Sequence, residues 1–240
     1  MTREIEYSVI VPVYNESKRI HNIETISKYL GKIKLKTELL VVNDGSIDDS
    51  LTILRKYKRN LGFRLVSYSQ NKGKGYAIKQ GMLKAKGKYI LFCDVDLSTP
   101  IEEMTSLIPF LKNNNIAIGT RKITRSKVLV EQSLIRKWLG KGFTFLSQII
   151  LNVWISDFTC GFKFFPREIA RKIFRKTLVY RWGFDSEVMF LAKKYHFAVK
   201  EVPVTWVNDV QTRVKFPRDI FVSLRELLTI RFNDWILKKY

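Results

Sequence analysis

Three times in the first hundred residues a short apolar run of strand character breaks off into a polar, acid-bearing cluster. YSVIVP leads into Tyr14-Asn15-Glu16, ELLVVN into Asp44-Gly45-Ser46, and YILFC into Asp94-Val95-Asp96. Strand and helix signals alternate around these runs. The pattern predicts strands at Tyr7–Pro12, Glu38–Asn43, Arg64–Ser69, Tyr89–Cys93 and Ile116–Gly119, with helices at Ile23–Ile33, Asp48–Lys58 and Gly75–Ala85. Such alternation predicts βαβ units, and so an α/β fold on a Rossmann-like, mostly parallel sheet flanked by helices. Ligands bind such sheets outside the carboxyl ends of the strands, so the three clusters are expected to converge on one crevice.

Past Thr120 the pattern changes. A basic stretch leads to an aromatic-rich segment, Trp138 to Ile155, followed by a loop at Ser156–Gly161 and a short strand at Phe162–Phe165. Helices at Arg167–Phe174 and Asp185–Tyr195, a strand at Val199–Val204 and a terminal helix from about Arg218 complete the reading. No repeat, low-complexity tract or Pro/Gly/Ser linker divides the 240 residues, a length that suits one full core. One continuous domain, residues 1–240, with a helical, basic C-terminal part is expected.

The 43 basic and 22 acidic side chains give a net charge of +21, of which residues 121–240 carry +14 (24 against 10) and residues 1–120 carry +7 (19 against 12). Such a field suits nucleic acid, an anionic membrane surface or phosphorylated substrates. Nucleic acid is disfavoured: there is no zinc finger, RNP string or KH loop, and the acidic DVD turn repels phosphates unless a cation intervenes. Cys93 and Cys160 make no disulfide framework and no CxxC site, which points to a reducing compartment. His21 and His196 are too few and too far apart for a histidine zinc site or a Ser-His-Asp triad. No secretory signal precedes the first strand, and no apolar run reaches the ~20 residues of a membrane span. The nearest, WLGKGFTFLSQIILNVWI, contains Lys141, Gln148 and Asn152. It reads either as a helix on a bilayer surface, anchored by Trp138, Phe143, Phe145 and Trp154, or as a buried core helix.

The chemistry concentrates in KYILFCDVDLSTP, Lys88 to Pro100. A strand ending here delivers Asp94 and Asp96 to its edge on one face, where two carboxylates can share Mg²⁺ or Mn²⁺, or hold a ribose beside it. The other reading makes both aspartates turn formers. Thr99 and Pro100 then read as a helix start, with Pro at the first helical position and Glu102 and Glu103 in the first turn. NKGKG, Asn71 to Gly75, follows a strand and opens a helix. Its amides, with Lys72 and Lys74, suit a diphosphate, although it matches neither a Walker A loop nor a GxGxxG turn and also reads as a flexible basic turn.

Taken in order, VPVYNE (Val11–Glu16), VVNDGSIDDS (Val41–Ser50), NKGKGYAIKQG (Asn71–Gly81) and DVDLSTP (Asp94–Pro100) resemble family 2 glycosyltransferases of the GT-A fold. GTR (Gly119–Arg121), LIRKWLGKGF (Leu134–Phe143), DFTCGFKFF (Asp157–Phe165), RWGFDSE (Arg181–Glu187) and EVPVTW (Glu201–Trp206) are similar to the dolichyl-phosphate β-glucosyltransferases, relatives of the dolichyl-phosphate mannose synthases. The resemblance covers essentially the whole chain. It implies a nucleotide-sugar-binding half in residues 1–120 and an acceptor- and membrane-facing half in 121–240. Pro12, Tyr14, Glu16 and Asp44 are then expected to line the nucleotide pocket with Lys72 and Lys74. Asp94 and Asp96 would meet the metal and the ribose or diphosphate. Arg121, Arg136, Arg213 and Lys215 resemble a phosphate clamp, a role that the planar guanidinium fork suits.

Two departures stand out. Mannose synthases commonly place a serine where this chain has Gly140, and the related enzymes carry membrane helices that this chain is expected to replace with a surface helix and its positive field. The implied reaction is an inverting transfer of a hexose, glucose by resemblance, from a nucleotide-sugar to a polyprenyl phosphate at the cytoplasmic face of a membrane. A phosphate monoester, with second pKa about 6, needs no catalytic base, whereas a hydroxyl acceptor would. Asp157 and Asp185 are the carboxylates of this half in motif-like loops; Asp157 is the candidate base or acceptor-positioning group, and both also read as helix or loop caps. The alternatives are a transferase with a glycan or protein hydroxyl as acceptor, and a non-enzymatic basic membrane- or nucleic-acid-binding protein.

Overall fold

The fold, a computed structural model, describes residues 4–129, 134–207 and 218–240. In chain order the elements are β1 (Tyr7–Val13), α1 (His21–Lys32), β2 (Thr37–Asp44), α2 (Ser50–Leu61), β3 (Arg64–Tyr68), α3 (Lys74–Lys84), β4 (Tyr89–Cys93) and α4 (Glu103–Leu107). A 3₁₀ segment (Ile108–Asn114) leads to β5 (Ile116–Thr120), β6 (Lys127–Val128), α5 (Leu134–Leu151), β7 (Phe162–Pro166), α6 (Arg167–Lys176), α7 (Phe184–Lys194), β8 (Val199–Pro203), β9 (Thr205–Trp206) and α8 (Arg218–Trp235).

Seven strands form one sheet in the order β3-β2-β1-β4-β7-β5-β8. Its pairs are parallel except those of β7, which runs antiparallel to both β4 and β5. The expected mostly parallel α/β sheet is present, and β7 is the strand whose direction the sequence pattern does not reveal. Its reversal decides the site. Because β7 runs backwards, the loop that precedes it reaches the same edge as the carboxyl ends of β1, β2 and β4. A separate parallel pair, β6 with β9, lies beside the sheet.

Alternation along β1 sends Tyr7, Val9, Val11 and Val13 to a core shared with α1, α2 and α4, and Ile10 to a second core shared with α3, α6 and α7. A strand covered on both faces has no solvent side, which is why YSVIVPV reads as a continuous apolar run. On α6 the buried residues are Ile169, Ala170, Ile173 and Phe174, one stripe at helical spacing. Gly62 ends α2 in the left-handed conformation, φ 68°, which glycine adopts without a Cβ clash.

Two helix boundaries differ from expectation. The helix after the DVD cluster starts at Glu103, because Pro100–Glu102 form tight turns (Glu103 N to Pro100 O, 3.1 Å; Met104 N to Ile101 O, 3.0 Å) around the buried Ile101. The aromatic-rich helix stops at Leu151. There Asn152 turns left-handed (φ 52°), its amide donates to Ile149 O (3.3 Å), and that of Val153 donates to Gln148 O (3.2 Å), a Schellman closure. Trp154 therefore lies outside the helix. No helix among the described residues is long and apolar enough to cross a membrane.

Candidate active site

The loops after β1 and β2 are laced together. Asn15, at φ 52°, donates its amide to Ser46 Oγ (3.0 Å) and accepts the Ile47 amide on Oδ1 (2.8 Å). The Glu16 amide donates to Ser50 Oγ (2.8 Å), that of Ser17 to Asp48 Oδ2 (3.2 Å), and Glu16 pairs with Arg19 (3.0 Å). Pro12 is buried at the end of β1 and Tyr14 is half-buried beyond it. Pro12, Tyr14, Glu16 and Asp44 thus gather at the carboxyl ends of two adjacent strands.

Asp44 also holds the NKGKG turn. Its Oδ1 accepts the Lys72 amide (2.9 Å), and its Oδ2 accepts the Gly73 amide (2.9 Å) and the Asn71 side-chain amide (2.8 Å). The Gly75 amide donates to Tyr180 O (2.8 Å). Three amides expected to cradle a diphosphate therefore have acceptors inside the protein. Gly73 is required there: its φ is +105°, and a Cβ would meet Tyr180 O at 2.3 Å.

Lys74 reaches across to the DVD cluster and pairs with Asp94 Oδ1 at 2.6 Å, both side chains about one-third exposed (32%). The strand ends at Cys93. Asp94 to Leu97 then form a turn closed by the Leu97 amide on Asp94 O (3.2 Å), with Leu97 at φ 52°. The two carboxylates are brought together by this turn rather than by strand alternation. Asp96 accepts the Ser98 amide (2.9 Å), while burial and the neighbouring Asp94 push its carboxyl upward. Gly161, in the loop before β7, lies directly against Asp94: a Cβ there would sit 2.1 Å from Oδ2. Among the described residues no group of three His, Cys, Asp or Glu surrounds a metal position.

The loop before β7, residues 156–161, faces this turn. Asp157, fully buried, accepts Arg121 Nε (2.7 Å) on Oδ2 and Arg121 Nη2 (2.8 Å) on Oδ1, and Nη2 also donates to Thr159 (2.9 Å). Burial would raise the Asp157 carboxyl, but the Arg121 charge and hydrogen bonds win and hold it well below the usual carboxylate range. Such a group is a poor base. The Arg121 guanidinium also lies over Trp206, 5.2 Å from the ring centroid. Beside it Lys122, whose pKa burial lowers, donates to Thr144 of α5 (2.6 Å). Arg213, Lys215 and the side chain of Arg136 lie outside the described residues.

Sequence reasoning passed over Lys163. Its ammonium is fully buried and donates to Phe158 O (2.9 Å), Cys160 O (2.6 Å) and Asp185 Oδ1 (2.5 Å), tying the loop before β7 to the start of α7. All three N–H groups have acceptors, as a buried ammonium requires. A lysine between the phenylalanines of FKFF was the available signal.

Comparison with known proteins agrees with this geometry. The family model for glycosyl transferase family 2 matches residues 8–174. The chain is 35% identical to the dolichyl-phosphate beta-glucosyltransferase of Drosophila melanogaster, over 85% of this chain and 68% of that one. It is 31% identical to the protein of the same name from Dictyostelium discoideum, over 95% of this chain and 75% of that one. In fold it is similar to glucosyl-3-phosphoglycerate synthase from Mycobacterium tuberculosis in complex with Mn²⁺, UDP and glucosyl-3-phosphoglycerate (TM-score 0.67, 17% identity, covering 95% of this chain and 79% of that one). With the motifs in order along one sheet edge and the family match spanning most of the chain, this protein belongs to glycosyl transferase family 2.

Proposed function

We propose that the protein transfers glucose from UDP-glucose, with inversion, to a polyprenyl phosphate of the dolichyl type. The relatives' names supply the sugar and lipid. The observation that carries the acceptor class is the Arg121–Asp157 fork, which engages the Asp157 carboxylate with a guanidinium and leaves it a poor base. An acceptor that arrives ionised fits this arrangement. A phosphate monoester oxygen attacks the anomeric carbon, the bond from that carbon to the diphosphate oxygen breaks, and UDP leaves with the electron pair. Holding two anions in line is the main task, and it needs positioned positive charge rather than a base.

Asp94 and Asp96 fit a hard divalent cation: two oxygen donors on one turn, with Asp96 already strained by the adjacent negative charge. Mg²⁺ is typically held by one or two carboxylates together with substrate phosphates, so the lack of a third ligand is no obstacle. When bound, Mg²⁺ or Mn²⁺ would neutralise charge developing on the leaving diphosphate. Lys74 is placed to assist on the same side, and Asp44 fixes the turn that carries Lys74.

Membrane access follows from the surface. Trp138 (72%), Phe145 (57%) and Trp154 (68%) are exposed on and just after α5, with Phe221, Leu228, Phe232 and Trp235 exposed on α8, which packs beside it. Buried on α5 instead are Thr144, Ser147 and Leu151. An apolar face on a chain of net charge +21 suits a peripheral position on an anionic bilayer, which we place at the cytoplasmic face.

The test is incubation with Mn²⁺ or Mg²⁺, a short polyprenyl phosphate and a panel of UDP- and GDP-sugars, with Asp96→Ala as control. A glucosyl-phosphate-lipid formed from UDP-glucose and lost in the variant is the expected result. Donor hydrolysis without lipid product would move the acceptor to a hydroxyl, and absence of donor binding would overturn the enzymatic reading.

A further inference from the structure

Glu187 closes the RWGFDSE string and is fully buried, and its hydrogen bonds go elsewhere than the DVD turn and Asp157. Its carboxylate accepts the Leu178 amide (2.9 Å on Oε1, 3.0 Å on Oε2), the Val179 amide (2.9 Å) and the Tyr240 hydroxyl. These bonds fix the start of residues 177–183. The same segment is what the donor-side turn rests on. Tyr180 O accepts the Gly75 amide, a Cβ on Gly73 would strike Tyr180 O, and one on Gly75 would strike Phe184 at 2.5 Å. At its far end the Gly183 amide donates to Glu226 of α8 (2.7 Å). The NKGKG turn is thus clamped between Asp44 on one side and residues 179–180 on the other, and Glu187 sets the second jaw.

We propose that Glu187 is a positioning residue for the donor: by holding residues 177–183 against Gly73 and Gly75, it sets Lys74 where the diphosphate arrives. The inference rests on the donor reading above. It also has a signature that packing alone does not produce. Burial pushes the Glu187 carboxyl up to about 7, against the hydrogen bonds from Tyr240, Leu178 and Val179 and the charge of Lys79, whose ammonium donates to Thr177 O (2.7 Å). Behind Tyr240 stand Asn233 and Asp234 of α8. The anion accepts two amides, that of Leu178 on both oxygens and that of Val179 on Oε2. The neutral acid turns one oxygen into a donor and loosens the clamp as pH falls through 7.

The experiment is calorimetric UDP-glucose binding with Mn²⁺ and no lipid, from pH 6 to 8, on the wild type, Glu187→Gln and Tyr240→Phe. Amide exchange at Gly75, Leu178 and Val179 is followed in parallel. UDP-glucose, a diphosphate diester, has no ionisation in this window. If only the anionic form is competent, the wild-type Kd weakens up to about tenfold at pH 6 relative to pH 8, the inverse of the competent fraction. Glu187→Gln gives a flat profile at the weaker value, and Tyr240→Phe, which removes a bond that favours the anion, moves the midpoint to higher pH. A flat wild-type profile, or an inflection that persists in Glu187→Gln, overturns the proposal. If the wild type fails to bind UDP-glucose at every pH, the donor reading falls. Exchange then decides the clamp: faster exchange at Gly75 in Glu187→Gln supports it, and unchanged exchange overturns it.

Discussion

Replacing Asp157 with Asn tests the claim that this carboxylate holds an arginine rather than a proton. The side chain is fully buried and accepts Arg121 Nε at 2.7 Å and Nη2 at 2.8 Å, with the Arg121 and Thr159 amides at 3.2 Å each. Asn offers one oxygen and points an NH₂ at the guanidinium. Breaking such a pair from one side costs about 3–5 kcal/mol, because the partner charge stays desolvated. At roughly 2–4 °C per kcal/mol for a chain of this size, Tm falls by about 6–20 °C. The sign with pH is fixed by the depressed Asp157 carboxyl. Its stabilisation is fully present above the unfolded value of about 3.9 and is lost as pH falls through the folded value. The gap between wild type and variant therefore narrows in acid. Urea unfolding of Asp157→Asn, Arg121→Met and the double variant, at pH 7 and pH 3, measures the coupling. Effects that add to within about 0.5 kcal/mol would refute the pairing. A kcat loss beyond about 100-fold in Asp157→Asn, with fold and donor KM intact, would restore Asp157 as a base.

Asp96→Asn is expected to weaken Mn²⁺ binding in the presence of UDP, read by electron paramagnetic resonance, without loss of stability at pH 7. Burial and Asp94 raise the Asp96 carboxyl, so its charge opposes folding above the unfolded carboxylate pKa, and the variant's relative stability grows as pH rises through that window. Gly161→Ala places a methyl 2.1 Å from Asp94 Oδ2 and must displace the carboxylate; turnover falls by about 100-fold, the cost of a misplacement near 1 Å, while the thermal melt changes little. Lys163→Met leaves Asp185 buried without its ammonium and costs about 3–5 kcal/mol, much of which Lys163→Met/Asp185→Leu recovers in thermal melts.

The strand ends were legible because each apolar run stops where its acidic cluster begins, and β4 occupies Tyr89–Cys93 as the pattern requires. What the clusters do was less legible. Asp44 reads as a pocket residue; that it also holds a turn 28 residues away is a pairing that no local pattern encodes. The same holds for Arg121 and Asp157, 36 residues apart. Trp138 to Ile155 left surface and core readings open because its apolar residues run most of the way round. Burial of Thr144 and Ser147 separates the faces, and of the four expected anchors Trp138, Phe145 and Trp154 are exposed while Phe143 packs toward the core. The direction of β7 was invisible, since FKFF looks the same in either sense.

The reversed strand also orders events during synthesis. β5 finds its sheet neighbours in β7 and β8, so a nascent chain of 120 residues can pair only β3, β2, β1 and β4. The open side of β4 waits for Phe162, Phe164 and Phe165, each fully buried in the finished sheet and together worth roughly 5–9 kcal/mol of apolar burial. At the usual pace of translation the gap from Thr120 to Pro166 lasts roughly 2–9 s. Through that interval β4, held by β1 on one side only, is an edge strand of five residues whose outer side is free to be captured by another chain.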